Sequence, residues 1–436
     1  MYAERIARAS TIRQFGKVTQ VVGLVVESAG PSVSIGRLCQ IENRDDGSRI
    51  KAEVVGFRDN RILLMPYGPL TGITPGAIVT STSEQLRVPV GDELIGRVLG
   101  GLGQPIDGKG PHNCTRTRPI SARSIPVLAR RRITEPLRTG IKAIDLLTPV
   151  GRGQRMGIFA GSGVGKSVLL GMMSRGTSAD VNVIALVGER GREVREFIER
   201  DLGPEGLKRS VVVAVSSDEP ALLRIKGAMT ATTIAEYFRD QGKNVLLLLD
   251  SVTRIAMAQR EVGLAIGEPP ASKGYTPSVF AMLPVLLERA GMTEHGSITG
   301  LYTVLVEGDD MNEPISDAVR SILDGHVSLS RRLAAMNQYP AIDVLDSVSR
   351  LAPEVATEQE KELAAEVRRI IATYRESEDL INVGAYVKGS SKKIDRAIAK
   401  IDDLNTFLRQ DMMEATDHER SVADLSHLLA VAEEKK

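Results

Sequence analysis

The sequence predicts a multidomain α/β protein: an N-terminal small β-barrel, a central α/β domain built on a phosphate-binding loop, and a C-terminal helical bundle. Three observations carry that prediction. Residues 17–90 hold short β-branched runs separated by "AGPS", "DDGS" and "TPG" turns, the pattern of a small closed barrel. Residues 141–350 alternate near-continuous apolar runs with longer helical stretches, as expected of parallel strands covered on both faces. After "LAP" at 351–353, apolar residues recur at helical spacing to the end and no strand signal returns.

Composition bounds the function. At 436 residues the chain has room for two or three domains, and its 42% hydrophobic and 25% charged residues are those of an ordinary folded protein. A formal net charge of +1 argues against a dedicated nucleic-acid or membrane surface. Aromatics make up 3% with no tryptophan, too few for base-stacking platforms. The two cysteines, Cys39 and Cys114, are far apart, and the five histidines form no HxxxH or HExxH pair, so no metal cage is expected. "MYAERIARAS" has no apolar core for a signal peptide, and no run approaches a membrane span. The expected location is the cytoplasm.

In chain order, residues 1–16 are a short segment ahead of the barrel at 17–90, which reads as an assembly domain. Residues 91–140 read as a linker, glycine-rich and then basic, with seven arginines from Arg116 to Arg138 against one acid, Glu135. A solvated linker packed on neighbouring subunits and a nucleic-acid tract both fit that run. Residues 141–350 supply the strands "RMGIFAG", "VNVIALVGE", "SVVVAVSS", "NVLLLLD" and "ITGLYTVLVEG". Residues 351–436 form the helical domain.

The chemistry concentrates at "AGSGVGKSVLL", residues 160–170. It follows a strand and opens a helix, the setting that a phosphate-binding loop requires. Gly161, Gly163 and Gly165, with Ser162 and Val164 between them, let successive backbone N–H groups turn toward phosphate oxygens. Lys166 is expected to reach the β- and γ-phosphates, Ser167 to ligate Mg²⁺, and Val168 to continue the helix beside the nucleotide. Ala160 stands in the slot usually held by glycine, where a small side chain can point away from phosphate. Asp250 ends "NVLLLLD", where an acid holds the loop metal; a helix N-cap is the alternative. Glu189 in "VGERGREV" ends another strand, where a carboxylate can polarise the water attacking the γ-phosphate, although plain helix-start chemistry also accounts for its acids and arginines.

"TGIKAIDLLTPVGRGQRMGIFAGSGVGKS", "GERGREV", "LLLLDSVTR", "EPPASKGYTPSVFAMLPVLLERAG" and "YPAIDVLDSVSR" together resemble the export ATPases of type III secretion systems, relatives of the catalytic subunit of rotary ATP synthases. The resemblance covers nearly the whole chain, and "LINVGAYVKGS" is similar to the flagellar members. It implies a RecA-like core between barrel and helical domain, assembled as a homo-hexamer that hydrolyses ATP with Mg²⁺. It implies roles too: Lys166 and Ser167 on phosphate and metal, Asp250 as the strand-end acid, Glu189 as catalytic carboxylate, and Arg190 sensing the γ-phosphate. Tyr339 would stack on adenine, and Arg350 would be an arginine finger reaching a neighbour's site. The implied partners are a stator-like regulator at the N-terminus, a central stalk protein, the export gate, and export substrates with their chaperones. Peripheral association with the cytoplasmic face of the inner membrane follows, with no nucleic acid. One departure is Met412, where rotary catalytic subunits complete the adenine pocket with aromatics. A non-catalytic rotary subunit would have glutamine in place of Glu189, so the loop is expected to drive hydrolysis. An injectisome ATPase, a non-catalytic subunit and a RecA-type nucleic-acid translocase stay as alternatives.

Two segments suggest contacts. "MYAERIARASTIRQ" can place Tyr2, Ile6 and Ala9 along one side of a helix ordered by the regulator. In "GAYVKGS", Gly384 and Gly389 bracket Tyr386 and Lys388, expected to grip the stalk or passing chains from the central pore.

Overall fold

The computed structural model describes residues 14–121, 125–306, 308 and 310–430; the proposed N-terminal helix and Arg123 of the basic run lie outside the described residues. Six antiparallel strands close the barrel in the order Phe15–Val22, Val25–Ala29, Arg61–Pro66, Arg49–Arg58, Arg37–Glu42, Ile78–Gln85. Alternation explains the closure: Val18, Val26, Ile41, Val54, Leu64 and Val79 point inward and form one core.

The central domain is a nine-stranded sheet. From one edge its main path runs Ile342–Ser349, Gly325–Leu329, Arg155–Ala160, Ser297–Leu305, Asn244–Asp250, Val181–Glu189, Ser210–Ser216 and Val98–Leu99, while Gly291–Met292 pairs off the path with Ser297–Leu305. The Arg155–Ala160 strand lies parallel to both its neighbours, and Ile342–Ser349 returns antiparallel. The last two strands before residue 350 were not apparent in the sequence. "GHVSL" is five residues long, and "IDVLDSVS" carries Asp343 and Asp346 through its length.

The linker reading of residues 91–140 needs correction. Val98–Leu99 joins the sheet edge in parallel with Val212 and Val213. Arg97 holds Asp107 through two hydrogen bonds of 2.7 and 2.9 Å, fixing the loop around that strand. Arg118, Arg130 and Arg138 of the basic run pair within the chain, with Asp240 at 2.7 Å, Glu288 at 2.8 Å and Glu360 at 3.1 Å. These acids belong to the core and the C-terminal helices, so the run fastens the chain to itself.

Helices Glu358–Asn382, Lys392–Leu408 and His418–Ala430 make up the C-terminal domain. The first starts on a reciprocal cap, Thr357 with Glu360. Val367, Ile370, Leu404 and Leu425 share one hydrophobic core with Ile144, Leu147 and Leu170 of the central domain. At the other end the barrel's Val25, Leu63 and Met65 pack on Leu222, Leu223 and Val262. Inside that junction Lys226 Nζ sits 2.8 Å from Glu53, which also accepts from the Tyr67 hydroxyl.

The "GAYVKGS" loop corrects part of its expectation. Tyr386 does not project freely; its hydroxyl lies 3.0 Å from both the Ser391 carbonyl and Asp395 Oδ1. Asp395 also accepts from Gly389 N–H at 2.9 Å. The ring therefore locks the loop, leaving Val383, Val387 and Lys388 exposed. Among the described residues no helix is long and apolar enough to cross a membrane.

Candidate active site

Ala160 ends its strand buried in the core, which removes its methyl group from the phosphate side. The chain then turns through Gly163 (φ +79°) and Gly165 (φ +87°) into the helix Lys166–Gly176. Both angles favour glycine, and at Gly165 a Cβ would also sit 3.3 Å from the Tyr339 ring. Gly161 and Val164 are buried, whereas Ser162 and Ser167 face solvent at the mouth of the loop.

The structure brings Lys166, Glu189 and Asp250 together. Lys166 Nζ hydrogen-bonds Asp250 Oδ1 and lies 3.6 Å from Glu189 Oε1. Asp250 is 3% exposed at the end of its strand, and the Thr303 hydroxyl donates to it at 2.6 Å. Glu189 owes its position to Gly188. The register between Val181–Glu189 and Ser210–Ser216 shifts after Val187, a bulge that Gly188 makes with φ +73°. Bulges re-aim the next side chain, here toward Lys166.

Burial raises the Glu189 carboxyl above its ordinary range; Lys166 opposes that shift and Asp250 adds to it. Glu189 Oε1 is buried without a hydrogen-bond partner. A desolvated carboxylate 3.6 Å from the lysine of the phosphate loop is equipped to take a proton from water. Two residues that the sequence reading missed complete the site. Arg254 lies against Gly188 and acts on Glu189 as a cation, with its Nε buried and unpaired. Thr303 orients Asp250. Arg254 follows Asp250 by one helical turn, so "DSVTR" held a signal; Thr303 sits mid-strand and held none.

Two expected residues lie elsewhere. The Arg190 side chain is 80% exposed and pairs with Glu193 at 3.7 Å. It is the N-cap of the helix Gly191–Glu196, and the bulge that turns Glu189 inward leaves Arg190 outward. Arg350 is exposed at the far end of the sheet. Its N–H donates to Asp324 O at 2.9 Å, and Asp324 in turn binds Arg155, the first residue of the strand that Ala160 ends. That strand separates Arg350 from the phosphate loop by roughly 16 Å.

Beside the loop is a cavity of about 410 Å³ lined by Val164, Val168, Met172, Tyr339, Gln410 and Met412 among others. Tyr339 is 39% exposed, its ring against Gly165, and Met412 lines the same cavity. A purine fits such a wall by size and apolarity. Mg²⁺ also fits, since this ion is commonly held by one or two protein oxygens plus substrate phosphates. Ser167 and Asp250 supply such oxygens.

A barrel, a parallel sheet carrying a phosphate loop, and a lysine between two strand-end carboxylates define a P-loop nucleoside triphosphatase. Residues 140–349 match the family described as ATP synthase alpha/beta family, nucleotide-binding domain. Residues 18–83 match the beta-barrel domain of the same family, and residues 356–427 match the T3SS EscN ATPase C-terminal domain. The flagellum-specific ATP synthase of Bacillus subtilis is 56% identical over 427 residues, covering 97% of each chain. The assembled ATPase EscN of the enteropathogenic E. coli type III secretion system superposes with a TM-score of 0.89 at 44% identity, covering 95% of this chain and 100% of that one. EscN in complex with its central stalk EscO gives 0.88 at 43%, with the same coverage. The chain belongs to the flagellum-specific and type III secretion ATPases of the ATP synthase alpha/beta family.

Proposed function

We propose that this chain is the ATPase of a flagellar export apparatus, hydrolysing Mg-ATP through Lys166, Ser167, Glu189, Asp250 and Arg254. The buried Glu189 carboxylate with its unpartnered oxygen, 3.6 Å from Lys166 Nζ, carries the reading. Backbone N–H groups from Gly161 to Gly165 and the Lys166 ammonium bind the phosphates. Mg²⁺, held by Ser167 and Asp250, would neutralise phosphate charge. Glu189 holds the attacking water and accepts its proton, Arg254 steadies the carboxylate, and Thr303 keeps Asp250 oriented. Tyr339 and Met412 pack on the base.

Arg350 supplies positive charge to a neighbouring subunit's site. Its distance from its own phosphate loop supports that role, and with it a homo-hexameric ring. By analogy with EscN and EscO, a central stalk contacts the ring, here through Val383, Val387 and Lys388. We assign barrel 17–90 to assembly, core 141–350 to hydrolysis and 351–436 to stalk and cargo contact, with 91–140 bracing them and 1–16 binding a stator-like regulator. The regulator and export gate hold the ring peripherally at the cytoplasmic face of the inner membrane, where it meets export substrates and chaperones.

The test is turnover by the purified chain with Mg²⁺ or with chelator, across protein concentration. Specific activity should rise on assembly. Lys166→Ala and Arg350→Ala proteins, each inactive, should recover a fraction of activity when mixed. No recovery despite proven subunit exchange removes the finger from Arg350. In a flagellated host lacking its own export ATPase, the chain should restore secretion of hook and filament proteins; failure there with normal turnover removes the flagellar assignment.

A further inference from the structure

We infer that Gln410 is a positioning residue of the nucleotide site: it sets the slot for the base by tying Tyr339 and Met412 to the phosphate-loop helix. The inference rests on the ATPase reading above, in which those two side chains pack on the base. They come from segments far apart in the chain. Tyr339 precedes the edge strand Ile342–Ser349, and Met412 lies between the helices Lys392–Leu408 and His418–Ala430. Gln410 is 4% exposed and joins the two segments with its backbone N–H and both ends of its amide. The N–H donates to the Tyr339 carbonyl at 2.9 Å. Oε1 accepts from Lys142 N–H at 3.1 Å, and Nε2 donates to Gly140 O at 2.8 Å. Lys142 opens the helix Lys142–Leu147. The first N–H groups of a helix have no partner within it, and Gln410 supplies one from the C-terminal domain. Thr416 Oγ1 donates to the same Gly140 carbonyl at 3.0 Å.

The anchor is itself fixed. Buried Asp145 accepts from the Thr139 N–H and hydroxyl at 2.8 Å each, and from Gly140 N–H at 3.0 Å. Gly140 lies so close to Gly176, the last residue of the phosphate-loop helix, that a Cβ on it would sit 2.8 Å from the Gly176 Cα. Beside Gly176, Arg175 donates its guanidinium to the Met412 carbonyl. Tyr339, through Gln410 and Gly140, and Met412, through Arg175, are thus both referred to the far end of the helix Lys166–Gly176. The other end of that helix is the phosphate loop. A residue that merely held the C-terminal domain in place would affect base and phosphate contacts together. One that sets the base slot affects the base and leaves the phosphates alone.

The experiment titrates ADP and inorganic pyrophosphate, each with Mg²⁺, into wild-type and Gln410→Ala protein by calorimetry, beside kcat and KM for ATP. Pyrophosphate carries the phosphates without a base. Gln410→Ala should weaken ADP about 10-fold, the scale of a lost stacking wall, and raise KM for ATP by a similar factor. Pyrophosphate affinity should be retained, and kcat should fall less than kcat/KM. In a Met412→Ala background, where part of the slot is already gone, Gln410→Ala should weaken ADP less than it does alone. Equal loss of ADP and pyrophosphate, or loss of neither, overturns the inference. So does an undiminished effect in the Met412→Ala background. Should Gln410→Ala fail to fold, Gln410→Met keeps the volume and removes both amide hydrogen bonds. Selective loss of ADP is then expected, and unchanged ADP affinity overturns the inference. A wild-type protein that turns over no ATP, while the variants still separate ADP from pyrophosphate, ends the ATPase reading and leaves this inference standing.

Discussion

Replacing Glu189 with glutamine isolates the proposed proton acceptor from everything else the site does. The amide has the same shape and fills the same volume, so packing around Gly188 and Arg254 is retained. What it lacks is the negative charge and the basic lone pair. Lys166 keeps its hydrogen bond to Asp250, and the phosphate loop is untouched, so nucleotide affinity should stay within a few-fold of wild type. Loss of a positioned general base costs ~10²–10⁴-fold in rate, or ~3–5 kcal/mol of barrier. The fold should lose little, because Lys166 keeps Asp250 when its 3.6 Å ion pair to Glu189 goes and burial already disfavours the charge there. Single-turnover hydrolysis beside fluorescent-nucleotide binding and a melting curve gives all three readouts. A near-normal rate would refute the assignment. A parallel collapse of affinity would also refute it, because Glu189 would then be holding the ground state.

The other predictions concern binding, pH and the barrel junction. Lys166→Ala should lose nucleotide affinity as well as turnover, because Lys166 contacts phosphate before reaction; unchanged displacement of labelled ADP would contradict this. Because the Glu189 carboxyl titrates above its ordinary 4.5, activity should fall with decreasing pH before an ordinary glutamate protonates, and Glu189→Gln should lack that limb of the kcat/KM profile. The stability sign is opposite: the native carboxyl holds a proton that the unfolded chain has released, so its contribution declines as pH rises through the raised value. Lys226→Ala leaves Glu53 buried beside Tyr67 and should cost ~3–5 kcal/mol in urea unfolding, whereas Lys226→Met with Glu53→Gln should recover most of it; equal losses would make the pair irrelevant.

The sequence made some of this legible because some chemistry is local. Lys166, Glu189 and Asp250 each stand where a buried apolar run meets a helix, so chain order alone puts them at one end of a parallel sheet. Side-chain direction was not legible. Arg190 and Glu189 are adjacent, yet the Gly188 bulge sends one inward and the other to solvent. Thr303 touches Asp250 only through strand pairing, a relation absent from either residue's neighbourhood. Val98–Leu99 is a two-residue strand, below any periodic signal. Tyr386 looked available because glycines flank it, but its partner Asp395 lies nine residues on, inside the next helix.

With Arg350 in the trans role proposed above, the strand Ile342–Ser349 would make one segment serve two nucleotide sites. Just before it, Tyr339 lies against Gly165 of the same chain; just after it, Arg350 faces outward at the opposite end of the sheet. The antiparallel return is the cause, since a parallel strand would have carried its last residue to the phosphate end. The strand is also tied to the helix Glu358–Asn382. Arg375 pairs with Asp343 at 2.8 Å, and Arg368 reaches the Val344 and Ser347 carbonyls, the latter at 3.1 Å. Arg368 also holds the Leu147 carbonyl at 2.8 Å. Packed elements shift as units, so force on that helix from a stalk acts on the strand. It thereby acts on Tyr339 in one pocket and on Arg350, the finger proposed for the next. A ring built this way has a mechanical connection between neighbouring sites that does not pass through the phosphate loops.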